Sequence, residues 1–287
     1  MRWLITGAGG QVATHAARLL RAEGADAVSL TRNDLDITSA AAVDAAVVAE
    51  RPEVVLNAAA YTAVDAAEDD EATAAAVNEL GPRLLADALS RYGGRLLHVS
   101  TDYVFAGTAD HPYDVDDETG PHGAYGRTKL AGERAVRAEL PGRSHVVRTA
   151  WVYGGPGANF VDTMIRLEGE RQTVEVVSDQ IGSPTWAGDV AAGLIELGRS
   201  EAPAGVLHFV NAGQASWWDL ARETFRLIGA DPNRVRPTDS AAFARRAPRP
   251  AWSVLSTRAW QAAGLTPPRA WQEALAEAIS TRQSDGP

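Results

Sequence analysis

The start of the chain constrains its fold more than any other stretch. An apolar run, Arg2–Thr6, meets the turn Gly7-Ala8-Gly9-Gly10, and apolar residues at helical spacing follow from Val12 to Leu20. A strand delivered into a helix through glycines is a βα unit. Repeated units of this kind close into a parallel sheet through right-handed crossovers, with helices on both faces. The first half of the chain keeps that rhythm. Strands are predicted at Ala27–Leu30, Val54–Asn57, Arg95–Ser100 and His145–Thr149. Between them lie helices over Ala40–Glu50, Glu71–Tyr92 (broken only at Gly81-Pro82) and Ala124–Leu140. Thr38-Ser39 supplies N-cap chemistry, Gly24 and Gly93-Gly94 supply helix ends, and Pro52 and Pro141 are stops. Near-continuous apolar strands such as Val54-Val55-Leu56 fit burial on both faces of a sheet.

Beyond Trp151 the character changes. Six of the eight tryptophans lie after that residue, prolines are frequent, and helices are expected at Phe160–Arg166, Asp189–Leu197, Ser216–Ile228 and Trp271–Ile279. The polar, acidic stretch Ala106–Gly123 reads as a loop, and no internal repeat is visible. The expected fold class is α/β: a Rossmann-type doubly wound parallel sheet with a smaller C-terminal α+β substrate domain. Residues 1–150, with about 171–198, form the nucleotide-binding unit, and 151–170 with 199–287 the substrate unit. The 287 residues contain no cysteine, which excludes disulfides, thiolate nucleophiles and Cys-based metal sites. A formal charge of −10 argues against a nucleic-acid polymer as partner. No apolar run approaches the roughly 18–20 residues of a membrane span. A soluble cytoplasmic protein, monomeric or homodimeric, is expected.

The glycine turn has the spacing Gly7-x-x-Gly10-x-x-Ala13. Glycine where backbone must approach a pyrophosphate lets the amides of the next helix N-terminus face negative charge, so Gly7 and Gly10 are cofactor-binding candidates. At the end of the second strand an acid would select a ribose 2′-hydroxyl. Here Leu30-Thr31-Arg32 stands instead, and Arg32 can pair with a 2′-phosphate, favouring NADPH with NADH as the alternative. Asp36-Ile37 would lie near the adenine.

Tyr125-Gly126-Arg127-Thr128-Lys129 puts a phenol and an ammonium at i and i+4, on one helix face. The ammonium is expected to lower the phenol pKa towards working pH, making Tyr125 a general acid for a ketone becoming an alcohol. The pair follows Ser100-Thr101-Asp102 at a strand end, where α/β folds bind ligands.

These stretches, together with Asn57–Asp65, Ser100-Thr101-Asp102-Tyr103-Val104-Phe105, Arg148–Gly154, Asp179-Gln180-Ile181-Gly182-Ser183-Pro184-Thr185 and Arg249-Pro250, run in family order across nearly the whole chain. They resemble the dTDP-4-dehydrorhamnose reductase family of extended short-chain dehydrogenases/reductases. The resemblance implies NADPH-dependent reduction at C4 of a dTDP-4-keto-6-deoxy-L-hexose, giving dTDP-L-rhamnose or a related deoxysugar. It implies Tyr125 as proton donor, Lys129 on the nicotinamide ribose, and Thr101 at the reacting oxygen or the phenol. It also implies Gly10, Gln11 and Val12 around the pyrophosphate, Ala58, Ala59, Ala60 and Val99 along the cofactor, and Asp102 and Trp151 against the sugar nucleotide. Arg249 reads either as a fork for the substrate diphosphate or as an exposed loop residue. Some family members use magnesium bound by glutamates; here Thr14-His15 replaces the matching early glutamate, and no metal is expected. Alternatives are an epimerase or 4,6-dehydratase of the same superfamily, or a regulatory subunit that keeps the fold without catalysis.

Overall fold

The computed structural model of the chain describes residues 1–243 and 245–284, so 244 and 285–287 of the expected substrate unit lie outside the described residues. A six-stranded sheet forms its centre. Strands β1 (Arg2–Thr6), β2 (Asp26–Leu30), β3 (Val54–Asn57), β4 (Arg95–Thr101) and β5 (Ser144–Thr149) are joined by a sixth strand, Gly205–His208. Their spatial order is sixth, β5, β4, β3, β1, β2, and every pairing is parallel. Alternate residues serve opposite faces. Trp3, Ile5, Val54, Leu56, Leu97 and Val147 pack against helix α1 (Gln11–Ala22) and the Ala187–Arg199 helix. Leu4, Val55, Leu96 and Val146 pack against helix α2 (Ala40–Glu50) and the Gly81–Tyr92 and Ala124–Glu139 helices. Order reverses between β1 and β3, and ligands settle at the strand C-termini of such a reversal.

One helix departs from expectation. The 71–92 segment is not broken at Gly81-Pro82; its irregularity is a π-helical turn, Ala76–Leu80, ahead of them. Pro82 follows that turn inside a continuous helical stretch, and its ring would collide there with the carbonyl four residues earlier, that of Asn78, in a regular α-helix. The wider turn moves that carbonyl aside, towards Gly132, where an added Cβ would stand 2.0 Å from the oxygen. Glycine at 132 is therefore what lets the Ala124–Glu139 helix pass so close.

The C-terminal half contributes short ladders. Val152–Tyr153 pairs with Thr185–Trp186, Val174–Val177 with Val235–Thr238, and Ile181–Gly182 with Ala215–Ser216. Tyr153, Trp186, Leu220, Trp271 and Leu275 form one core here, and Met164, Val174, Val176 and Phe225 another. Two stretches pair differently from the sequence division. Gly205–His208, placed with the substrate unit, extends the central sheet beside β5, where Leu207 and Phe209 complete an apolar face. Val174–Val177, placed with the nucleotide unit, hydrogen-bonds to a strand from beyond residue 234.

Candidate active site

A cleft of about 820 Å³ opens along the C-terminal ends of β1, β3, β4 and β5. Gly7 bends the chain into it at φ +74°, and a Cβ there would lie 2.6 Å from the Ala59 nitrogen. Only glycine allows the β1 turn and the Ala58-Ala59 backbone to meet. Beside that turn, α1 begins at Gln11 with no side-chain cap and no acid in its first turn. Its first amides, on Gln11, Val12 and Ala13, have no backbone acceptor among the described residues. An uncapped, unneutralised helix N-terminus facing a cleft is built for an anionic group. The Gly154–Ala158 loop arches above it: the Gln11 side-chain Nε2 donates to the Val152 carbonyl at 3.5 Å, and His15 Nε2 lies 2.5 Å from the Gly154 carbonyl oxygen. At the far end Arg32 is exposed on the rim, with Asp36 and Ile37 nearby. Asp36 accepts from the Thr38 amide and hydroxyl, which hold its carboxyl below the usual range.

At the other end four groups converge. The Lys129 side chain is 2% exposed and its Nζ donates to the Val99 carbonyl at 2.6 Å. Burial lowers the ammonium pKa to about 8, against an upward pull from Glu133 one turn on. Tyr125 faces the cleft from the same helix, its ring edge-on to Tyr103. Burial pushes its phenol up to about 12, with the Thr101 hydroxyl pulling back and the Asp102 carboxylate adding to the rise. This corrects the expectation that Lys129 depresses the phenol: the ammonium is spent on the Val99 carbonyl, and desolvation wins. Thr101 donates to Asp102 Oδ1 at 3.0 Å, and burial raises the Asp102 carboxyl to about 6 despite the Ser253 and Thr101 hydroxyls.

Trp151 closes this end in an unusual backbone state, φ +46°. Its ring stacks on Trp217 at 3.6 Å with an interplanar angle of 4°, and Gly182 leaves room behind it, since a Cβ there would stand 2.4 Å from the indole. A strained tryptophan held by stacking and a glycine is a wall with a fixed orientation.

The cleft thus gathers Gly7, Gly10, Gln11, Val12, Arg32, Asp36, Ile37, Ala58, Ala59, Ala60, Val99, Thr101, Asp102, Tyr125, Lys129 and Trp151. Two candidates are not on its wall. Thr31 binds the Asp34 carboxylate through its amide and hydroxyl, and Arg249 donates to Asp65 at 2.9 Å and to the Ala247 carbonyl at 3.0 Å. Sequence reasoning missed Tyr103, Trp217 and the Pro156-Gly157-Ala158 edge. Trp217 carried a signal, a bulky aromatic right after the N-cap Ser216, but nothing in the sequence placed it on Trp151.

A model of the RmlD substrate binding domain matches residues 1–284. The chain is 53% identical to a dTDP-4-dehydrorhamnose reductase of Streptomyces griseus, across 97% of this chain and 93% of that protein. The chain belongs to the dTDP-4-dehydrorhamnose reductase family. It is also 52% identical to a probable dTDP-4,6-dihydroxy-2-methyloxan-3-one 4-ketoreductase of Streptomyces antibioticus, covering 97% of this chain and 95% of that one. Among solved structures, a dTDP-4-dehydrorhamnose reductase of Bacillus anthracis in complex with NADP superposes with a TM-score of 0.94 at 35% identity, covering 98% and 99% of the two chains. As a member of the dTDP-4-dehydrorhamnose reductase family the chain is an enzyme, and its cleft combines an anion-binding helix end with a buried Tyr-Lys pair.

Proposed function

We propose that this enzyme reduces the C4 ketone of a dTDP-4-keto-6-deoxy-L-hexose with NADPH, yielding dTDP-L-rhamnose or a related deoxysugar. The observation that carries the reading is the convergence of Thr101, Tyr125 and Lys129 in one cleft with the open N-terminus of α1. The residues present fit the cofactor. Gly10, Gln11 and Val12 would take the pyrophosphate on backbone amides, and Arg32, exposed near Asp36, would take the 2′-phosphate. Gly7 and Ala58-Ala59-Ala60 leave the approach free of side-chain bulk, Val99 lies further along it, and Asp36 and Ile37 would flank the adenine. When bound, NADPH supplies the hydride.

The chain's own groups supply the proton and the geometry. A phenol near pKa 12 is protonated at neutral pH, so Tyr125 reaches the reaction with its proton in place. Thr101 would donate to the developing O4 oxyanion, and the buried Lys129 ammonium would stabilise the tyrosinate left after transfer. Trp151, stacked on Trp217, would present a flat wall to the sugar, and Asp102 would accept from a sugar hydroxyl. For Arg249 to bind the substrate diphosphate, that group must displace Asp65. Thr31 would act indirectly, by keeping Asp34 folded back on the loop that carries Arg32.

We assign the cofactor unit to the central sheet and its helices, including the sixth strand, and the substrate unit to the short ladders beyond Trp151. The enzyme would work in the cytoplasm as a monomer or homodimer. The test is NADPH consumption by purified protein offered a panel of dTDP-4-keto-6-deoxy-hexoses, with product stereochemistry determined for each. Turnover should be lost, by a factor of roughly 10²–10⁴, in Tyr125→Phe with NADPH binding retained. Absence of turnover with every keto-sugar would sink the reading.

A further inference from the structure

Behind the cleft lies a buried ion pair that the chemistry above does not use. Glu133 and Arg148 have side chains 3% and 4% exposed, with a guanidinium nitrogen 2.7 Å from Glu133 Oε2. Arg148 Nε adds contacts at 3.0 and 3.2 Å to the two carboxylate oxygens. The same carboxylate accepts from the Ser100 hydroxyl at 2.5 Å. On its outer side the guanidinium faces His208 Nε2 at 3.4 Å and lies 4.9 Å from the Phe105 ring centre. Burial and the guanidinium hold that imidazole down to about 3, so it is neutral and adds no competing charge.

The position of these residues gives the pair its meaning. Ser100 precedes Thr101 on β4 and follows Val99, whose carbonyl holds Lys129. Glu133 is one turn beyond Lys129 on the helix that also carries Tyr125. Arg148 is on β5, which runs on into Trp151. The three elements bearing the reacting groups therefore meet at one carboxylate. Apolar packing alone would hold them together but would leave β4 free to slide against the helix, because dispersion contacts are non-directional. The Ser100 hydroxyl ties β4 to the same carboxylate that three guanidinium bonds tie to β5, and these directional, charge-assisted bonds add to the Lys129 bond to Val99 in fixing that register.

We propose that Glu133, with Arg148 and Ser100, is the positioning element of the reaction centre, setting the register between the strand of Thr101 and the helix of Tyr125 and Lys129. The inference rests on the reductase reading for its kinetic consequence, though not for its geometry. A buried pair of this kind is weak evidence for stability, since apolar replacements of similar volume are often neutral or stabilising. That property separates positioning from support.

The test uses Ser100→Ala, which removes one hydrogen bond and no charge, and the double variant Glu133→Leu with Arg148→Met, which replaces the pair by apolar bulk. Both are expected to melt close to the parent and to keep its KM for NADPH, with kcat lowered roughly tenfold to a hundredfold. Parental kcat in either folded variant overturns the proposal, and if the double variant does not fold, Ser100→Ala decides alone. A second readout needs no turnover. Lys129 is the only lysine in the sequence, so isotope-labelled lysine gives one side-chain signal whose titration can be followed by NMR. The titratable and charged groups around it are Tyr125 and Glu133 on its own helix, His98 and Asp102 on and just beyond β4, and Arg148 on β5. Ser100→Ala alters none of these charges, so a shifted Lys129 midpoint reports displaced geometry and supports the proposal; coincident curves overturn it. Parent protein inactive on every keto-sugar would count against the reductase reading, while the titration would still judge this one.

Discussion

Of the 27 basic residues in this chain, 26 are arginine and one is Lys129. A chain that uses arginine at every other cationic position has a specific need for an ammonium here. The site is 2% exposed and its partner is a single carbonyl, suited to a compact point-charge donor rather than a five-donor fork. Burial also gives the group a titration that arginine lacks. Its pKa falls from 10.5 unfolded to about 8 folded, so between those values the unfolded chain binds more protons and stability rises with pH. Below pH 8 the full cost of burying the charge is present. Lys129→Met should therefore be inactive yet melt higher than the parent at pH 7, by ~2–4 °C for each kcal/mol relieved. The gap should close as pH rises towards 10.5. Scanning calorimetry across that range decides it, and a lower melting temperature at pH 7 would refute the burial argument. A linked expectation concerns rate. With Asp102 near 6 and Lys129 near 8, kcat/KM should fall on both sides of that window, while Tyr125, near 12, adds no limb in the working range. Asp102→Asn should remove the acid limb. The Tyr125-Lys129 pair was legible from its spacing, but the direction of the phenol shift was not, because i, i+4 placement says nothing of what the ammonium bonds to.

Elements bounded by strong punctuation were read well from sequence. Ala40–Glu50 and Val54–Asn57 carry the predicted boundaries, because Ser39 caps one and Pro52 separates the two. The π turn at Ala76–Leu80 was invisible, since it depends on Pro82 pressing back on Asn78 and on Gly132 receiving the displaced carbonyl from a helix far along the chain. Two-residue ladders such as Ile181–Gly182 with Ala215–Ser216 have no periodicity to detect. The turn after β1 offers the sharpest test at this scale. Gly7→Ala must hold a side chain at φ +74° and force apart the Ala58-Ala59 backbone. The conformation alone costs ~1–2 kcal/mol. A fall in melting temperature together with weakened NADPH binding is expected, measured by thermal unfolding and fluorescence titration; unaltered binding would mean that this close approach does not shape the cofactor cleft.

The molecule as a whole carries a formal charge of −10 although both proposed ligands are anions. The basic residues that the sequence offers those ligands are Arg32, Lys129 and Arg249. Only Arg32 is both exposed and at the cleft, for Lys129 is buried on a carbonyl and Arg249 is neutralised by Asp65. The remaining attraction comes from the uncapped amides of α1, partial charges that no count of side chains reveals. The succession of strands was legible through β5, where strands alternate with helices of clear periodicity. The sixth strand was not among those predicted, since its four residues come after a long stretch of short ladders.

That late sixth strand bears on how the protein is made. A ribosome that has delivered β1 to β5 has produced a sheet with an open edge at β5 and one face covered by α1 alone, because the Ala187–Arg199 helix and Gly205–His208 have yet to emerge. Synthesis proceeds at ~5–20 residues per second, so this unfinished surface persists for seconds on each nascent chain. A fragment ending at residue 150 should accordingly aggregate or remain bound to a chaperone, whereas one ending after residue 209 should resist protease over the sheet. Pulse proteolysis of stalled chains of graded length would locate the transition, and protection already complete at residue 150 would show that the edge strand is dispensable for closure.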